Sequence, residues 1–372
     1  MAGVASREPT CNSRLAKVMN DCSADLVAAS LERWCILAQQ MPGRVDGLRL
    51  LIRLTGPALL VIVISTLDDK ASLWSAVRDA SGPLLGGAVL LNLPVLHLKV
   101  VRWRRLLAAR GFYYSTRRSY AAVLSSLYLG MLTPGRVGDA LRIQYVRRDI
   151  GTPYAEGLAV TLMDRFCDLY VLAAVAAIGV LHFGSVLRDD VAYATWAAVA
   201  IALLAPVLLV AKGPGDLVGR LLKRFAKRWH ANLDAVLRGV RSLVGKSLAV
   251  SLVLTTAAFA VNYVQGWLVA RATGVELSYL DVASLLAATS LLGLLPISIS
   301  GIGVRELFLA LVFPALGFSA AQGVTFGLLV FMCINLSTVL LGFLAWHLAP
   351  PPFDAGEDKP GRPGSSPGGG AP

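Results

Sequence analysis

Three groups of charged and small polar residues sit inside stretches that are otherwise apolar. The first is Thr133-Pro134-Gly135-Arg136-Val137-Gly138-Asp139, followed by Arg142, and it interrupts the run from Tyr120 to Ile143. The second extends from Pro296 to Glu306, interrupts Val282–Phe313, and contributes Ser298, Ser300, Gly301, Gly303, Arg305 and Glu306. The third, Asp164, Arg165 and Asp168, falls within Ala155–His182. Inside hydrocarbon each unsatisfied backbone group costs several kcal/mol, so such interruptions need a use.

The first group reads as a helix start, with Thr133 as N-cap and Pro134 at the first helical position. Its glycines allow a ligand close to the backbone. A helix N-terminus presents free N–H groups and a positive dipole end, which suits phosphate or carboxylate. Arg136 and Arg142 can add bidentate, charge-assisted hydrogen bonds to phosphate oxygens. The competing reading is an interfacial turn whose arginines touch bulk lipid phosphates.

The second group has the same construction. Ser298, Ser300, Gly301 and Gly303 offer hydroxyls and open backbone ahead of a half-helix that starts with Arg305 and Glu306. Glu306 there complements the dipole. Arg305 is then available to bind an anion or an acid elsewhere, and the alternative is a structural salt bridge inside a tight turn. In the third group, Asp164 and Asp168 share a helix face and Arg165 reaches Asp168 at i,i+3. Ionisable groups at that depth point to function, or to a buried ion network that fixes helix packing.

No Ser/His/Asp order, Walker sequence, GxGxxG or acidic pair on a polar loop is present, so the sequence nominates no catalytic residue and no cofactor. The five cysteines form no CxxC pair and no metal-ligand spacing with the four histidines. Asn92, Asn262, Tyr263, Gln265 and Asn335 read as hydrogen bonds between helices, and His97, His182 and His347 as residues near span ends.

The elements that must position these groups follow from hydropathy. The chain has 372 residues, 56% of them hydrophobic, and a mean hydropathy of +0.64. Several stretches approach the roughly 20 apolar residues that a membrane span requires. The pattern predicts an all-α polytopic membrane protein with six full spans: Leu50–Leu67, Gly82–Val101, Ala155–His182, Ala192–Ala211, Leu248–Ala270 and Val324–His347. The two interrupted segments add re-entrant half-helix pairs. The net charge of +12 comes from basic residues clustered at 98–118, 136–148 and 212–247, with acidic residues in the alternate gaps. This positive-inside pattern orients the chain and argues against nucleic acid as a partner. Lys99, Arg102, Arg104 and Arg105 are expected to snorkel to the inner interface.

With that orientation one broken pair enters from inside and the other from outside, as an inverted repeat of 50–183 and 192–347 requires. Residues 1–49 form a cytoplasmic segment without a cleavable signal, in which Met41 is an alternative start to Met1. Residues 50–347 form the membrane domain. The basic loop 212–247 has apolar residues at Leu217, Leu221, Leu222, Phe225 and Trp229 that suggest an interfacial amphipathic helix. Residues 348–372 are a Pro/Gly-rich tail expected to be disordered. Both termini are expected on the cytoplasmic side of a bacterial inner membrane.

Three motifs carry a family resemblance: TPGRVGDALR, VTLMDRFCDL about twenty residues later, and LPISISGIGVRE. Together they resemble the signatures of the lysylphosphatidylglycerol synthase transmembrane-region family of flippase-like integral membrane proteins. In that family an acidic residue usually follows the PGR-x-G turn, and Asp139 stands there. The larger members fuse such a region to a soluble aminoacyl-transfer domain, and the membrane part is held to move aminoacylated phosphatidylglycerol between leaflets. The resemblance implies a translocase rather than an enzyme. An anionic or aminoacylated phospholipid, or a lipid-linked headgroup, would be bound by Arg136, Gly138, Asp139, Arg142, Asp164, Arg165, Asp168, Ser298, Ser300, Gly301, Gly303, Arg305 and Glu306. Two alternatives stay open: an accessory subunit presenting a lipid-linked precursor to an envelope glycosyltransferase, and a membrane-embedded lipid transferase. Homo-oligomerisation is also left open.

Overall fold

The computed structural model describes residues 78–133, 138–183, 230–293 and 301–350, with isolated positions at 65 and between 193 and 204. The expected span Leu50–Leu67, most of Ala192–Ala211, the loop residues Leu217–Trp229, the N-terminal segment and the tail from 351 lie outside the described residues.

Every regular element among the described residues is helical. In chain order they are α1 (Gly82–Leu90), α2 (Asn92–Ala109), α3 (Thr116–Leu132), α4 (Leu141–Ile150), α5 (Tyr154–His182), α6 (His230–Ser242), α7 (Lys246–Ala272), α8 (Tyr279–Leu292), α9 (Val304–Val312), α10 (Ala320–Val330) and α11 (Ser337–Leu348). A π-helical turn, Phe331–Leu336, joins α10 to α11. Four stretches are long and apolar enough to cross a membrane: Gly82–Ala109, Tyr154–His182, Lys246–Ala272 and Ala320–Leu348. They match four of the expected spans. The first runs eight residues past its expected end at Val101, which places His97 inside the helix, where its ring meets the Tyr120 hydroxyl.

Local chemistry sets the ends. In α8, Ser278 accepts from the Asp281 amide at 3.2 Å and Asp281 accepts from the Ser278 amide at 2.8 Å, so two orphan donors of the first turn are satisfied reciprocally. Ser319 and Gln322 do the same for α10. Helix α5 carries Glu156 in its first turn, favourable to its dipole. The spans leave apolar side chains on their outer faces; Leu181 is 73% exposed, Val253 69% and Leu340 59%. In lipid these faces need no polar cover.

Inside, the packing exchanges partners between the two halves of the chain. Helix α3 lies against α11, α8 lies against α5, and α2 crosses α7. Both exchanged contacts are close. A Cβ on Gly342 would stand 2.6 Å from the Leu124 carbonyl oxygen, and one on Gly179 would stand 2.6 Å from the Ser284 Cβ. Where α1 gives way to α2, Asn92 donates to the Cys333 carbonyl at 2.8 Å and to Ser337 Oγ at 2.7 Å, bracing the π turn. Gln265 donates to the Ala88 carbonyl at 2.8 Å. Asn92 and Gln265 thus join helices as expected. The Asn262 amide instead bonds Gln265 on its own helix, and the buried Tyr263 hydroxyl has no hydrogen-bond partner among the described residues.

Within the basic loop, the described helix is α6, and it packs along α5. Arg110 anchors the same end of the molecule. Its Nε and Nη2 each reach a Glu156 carboxylate oxygen at 2.7 Å, and its Nη1 reaches Ser242 at the end of α6. Hydrogen bonding to Glu156 raises the Arg110 pKa above its ordinary value. Nearby, burial and a hydrogen bond to Asp149 push the Tyr114 phenol well above its usual range.

Candidate functional site

Three helices and one turn bring six charged residues together. Arg102 comes from α2, Asp139 from the turn before α4, Arg142 from α4, and Asp164, Arg165 and Asp168 from α5. Asp164 is the hub. It receives Arg102 Nε at 2.7 Å on one oxygen, and Arg142 Nη1 at 2.9 Å with Arg165 Nη2 at 3.0 Å on the other. Asp168 binds Arg102 Nη1 at 2.6 Å and Arg165 Nη1 at 3.3 Å. Thr255 on α7 accepts from Arg102 at 2.6 Å and donates its own hydroxyl to the Ser251 carbonyl.

Three cations thus face three anions. The side chains of Arg102, Arg142 and Asp164 are 2%, 2% and 1% exposed, whereas Arg165 is 26% exposed, so the group opens on the Arg165 side. Burial of this kind costs several kcal/mol per ion and is recovered only through close pairing and further hydrogen bonds. The pairing is dense but the donors are not exhausted. Among the described residues, Arg102 Nη2, Arg142 Nη2 and Arg165 Nε are buried and have no acceptor, and neither side-chain oxygen of Asp139 has a hydrogen-bond donor.

Of the thirteen residues that the sequence nominates for one headgroup site, Asp139, Arg142, Asp164, Arg165 and Asp168 meet here. Arg102, expected to snorkel with Lys99, Arg104 and Arg105, joins them. Because Gly82–Ala109 runs past Val101, Arg102 lies two turns inside the helix end and points into the bundle. Its spacing from the apolar Val95 and Leu106, on the buried face of α2, was the available signal.

Thr133 also differs from its expected role. It stands at the end of α3 rather than at the start of α4. Its hydroxyl bonds back to the Leu129 carbonyl at 2.9 Å and accepts the Gly138 amide at 2.9 Å, folding the turn onto the helix it leaves. A Cβ on Gly138 would strike the Gly130 nitrogen at 2.5 Å. Arg136 lies outside the described residues, as do Ser298 and Ser300.

The second group is self-contained. Among the described residues Arg305 reaches no other element's acid; its Nε and Nη2 bind Glu306 Oε1 at 3.0 and 2.6 Å. The other Glu306 oxygen accepts the Gly303 amide at 2.6 Å, which caps α9. Glu306 is fully buried, and the Arg305 guanidinium sits 5.3 Å from the centre of the Phe331 ring. Gly301 has φ +73° and lies against Gly293, so that a Cβ at Gly301 would stand 3.3 Å from the Gly293 Cα. Among the described residues no ion pair joins Arg305 or Glu306 to the six-residue group.

The two turns nevertheless share a spacing that hydropathy alone did not reveal. Gly130, Gly138 and Arg142 repeat as Gly293, Gly301 and Arg305, with the same intervals. In both, the first two glycines touch across the break and the arginine falls in the helix that follows.

Comparison with known proteins supports these motifs. Glycosyltransferase AglD of Haloferax volcanii is 24% identical over 299 residues, which cover 69% of this chain and 47% of that protein. The chain therefore spans about half the length of the curated relative it matches. The family model described as lysylphosphatidylglycerol synthase TM region matches residues 47–342, taking in all three charged groups. The chain belongs to the lysylphosphatidylglycerol synthase TM region family.

Proposed function

We propose that this integral membrane protein is a lipid translocase that takes an anionic or aminoacylated phospholipid, or a lipid-linked headgroup, into a polar site between its two halves. The observation that carries this reading is the buried six-residue group, which retains unused guanidinium donors inside helices otherwise suited to hydrocarbon. Charged groups at that depth are expensive, and a purely structural network would be expected to use its donors up. Phosphate oxygens are the natural acceptors for the guanidinium fork.

The architecture proposed with it is six spans and two re-entrant pairs, α3–α4 and α8–α9, arranged as an inverted repeat. The shared glycine–arginine spacing supports it, and so does the exchange in which α3 packs on α11 while α8 packs on α5. Each re-entrant helix leans on the last span of the opposite half, as a two-fold axis in the membrane plane would require. Alternating access would then come from one half rocking against the other. The basic loops support a cytoplasmic side at the Arg110 end.

Purified protein in vesicles with labelled lipids tests the reading. Faster leaflet exchange than in empty vesicles is expected for at least one anionic headgroup, and its loss in Arg142→Gln. Exchange no faster than in empty vesicles across anionic, aminoacylated and zwitterionic headgroups would sink it. A second reading, an accessory subunit that presents a lipid-linked precursor, draws on the name of the relative, a glycosyltransferase. Co-purification with a glycosyltransferase, together with normal passive exchange, would favour it.

A further inference from the structure

Asp139 is the loosest member of the charged group. Asp164 takes its three guanidinium contacts at 2.7, 2.9 and 3.0 Å, all of them hydrogen bonds. Among the described residues the Asp139 carboxylate has only ion-pair contacts, at 3.8 Å to Arg142 Nη2 and 3.3 Å to Arg165 Nη1, and neither of its oxygens accepts a hydrogen bond although the residue is 4% exposed; its backbone carbonyl accepts from Arg142 Nε at 3.1 Å. Arg142 Nη2 on the other side of that gap also lacks a hydrogen bond. Acid and guanidinium face each other, correctly charged and too far apart. The carboxylate rests where Gly130 has no side chain; a Cβ there would stand 2.5 Å from Asp139 Oδ1.

Charge balance gives the gap a meaning. Among the described residues in direct ion-pair contact, three arginines and three aspartates cancel. A further anion entering this buried group would leave it with excess negative charge in a poorly screened environment, which is costly unless one carboxylate withdraws. The carboxylates of Asp164 and Asp168 are held by hydrogen bonds from other helices, and that of Asp139 is not.

Resting on the headgroup reading above, we propose that Asp139 is a place-holder: its carboxylate stands in for a phosphate-class oxyanion between Arg142 and Arg165 and competes with that ligand for the position. The two non-ester oxygens of a phosphodiester carry one negative charge, the same as the carboxylate they displace. Their wider tetrahedral spread lets them reach Arg142 Nη2 and Arg165 at hydrogen-bond distance, where the planar carboxylate falls short. The exchange leaves the group neutral. Selectivity then follows from geometry as well as charge, because an anion must satisfy the donors better than the resident acid does.

The sign of a mutational effect tests this. An acid that binds a ligand's amine, or one that merely holds the turn, makes Asp139→Asn weaken binding or leave it alone. A place-holder makes the same change tighten it. If the carboxylate occupies its position nine-tenths of the time, removing it tightens apparent affinity by about tenfold. Gly130→Ala supplies the second variant, since it dislodges the carboxylate while keeping its charge, and the double variant should show no further gain. Affinity would be measured with inorganic phosphate on detergent-purified protein, and with phosphatidylglycerol against phosphatidylcholine in nanodiscs, alongside unfolding curves for each variant.

Tightening in both variants supports the proposal. Tightening toward the lipids, whose phosphodiester is common to phosphatidylglycerol and phosphatidylcholine, but not toward inorganic phosphate identifies a lipid headgroup, and tightening toward inorganic phosphate as well identifies a general oxyanion site. Wild-type binding that is unchanged or weakened by Asp139→Asn, and by Gly130→Ala in folded protein, overturns the place-holder and leaves the headgroup reading intact. Failure of wild type and both variants to bind either probe overturns both.

Discussion

The two broken segments solve one electrostatic problem in opposite ways. Arg142 is held by an acid on a different helix, within a group that links α2, α4, α5 and, through Thr255, α7. Arg305, its counterpart in spacing, is held by the next residue in the chain. The first arrangement ties distant elements together, so its geometry changes when those elements move. The second is a local unit, a cap and an ion pair in one turn, which can travel as a rigid piece. If the halves rock, the six-residue group is the part that must rearrange.

That contrast can be broken by experiment. The largest effect is expected for Asp164→Asn, which takes the shared partner from three guanidinium groups; the loss should reach about 3–5 kcal/mol, read from thermal or denaturant unfolding of purified protein. Arg305→Ala leaves Glu306 buried with only the Gly303 amide, at a cost of about 3 kcal/mol. Because that pair is local, adding Glu306→Gln should restore most of the loss, whereas no single second change should rescue Asp164→Asn. Equal rescue in both would erase the distinction.

Gly342→Ala and Gly179→Ala probe the exchanged contacts between halves. Each forces a Cβ into a neighbouring helix and should cost about 1–3 kcal/mol. Two-fold packing predicts comparable losses in the same unfolding assay, and a penalty at only one of the two sites would count against it. The smallest effect belongs to Thr255→Val, which removes one hydrogen bond to Arg102 and should cost about 1 kcal/mol. A null result there would reduce α7 to a bystander of the charged group.

Hydropathy made four of the spans legible to within a few residues, except at the end of Gly82–Ala109 and the start of Ala320–Leu348, because a run of apolar side chains has few places to go other than lipid. Charge depth made most of the site legible for the same reason: Asp164 and Asp168 cannot be indifferent to where they sit. Arg102 escaped because a basic residue near the end of a span has two lawful fates, snorkelling outward or pairing inward, and the helix length that decides between them is a tertiary property. Arg305 has two sequence-level fates, an anion or acid elsewhere or a salt bridge inside its own turn, and the second is the one observed. Its neighbour was the nearer acid, and proximity in the chain carries no loop-closure cost. Thr133 could cap either helix at the break, and the choice went to the one it ends, where the Gly130–Gly138 contact already folds the turn back.

The π turn in the last span carries a consequence for register. One extra residue is accommodated between Phe331 and Leu336, and Asn92 holds the loosened carbonyl of Cys333 and the hydroxyl of Ser337. Were that turn to tighten into ordinary α-helix with all its residues kept, everything beyond it would rotate by about 100°. Gly342 would swing away from α3, and a bulkier neighbour would meet Leu124 and Tyr128 in its place. Deleting one residue from the turn, by contrast, would heal the helix and leave Gly342 where it is. The last span therefore holds its face toward the opposite half by virtue of a surplus residue, and Asn92 is the clasp that keeps the surplus from being wound in.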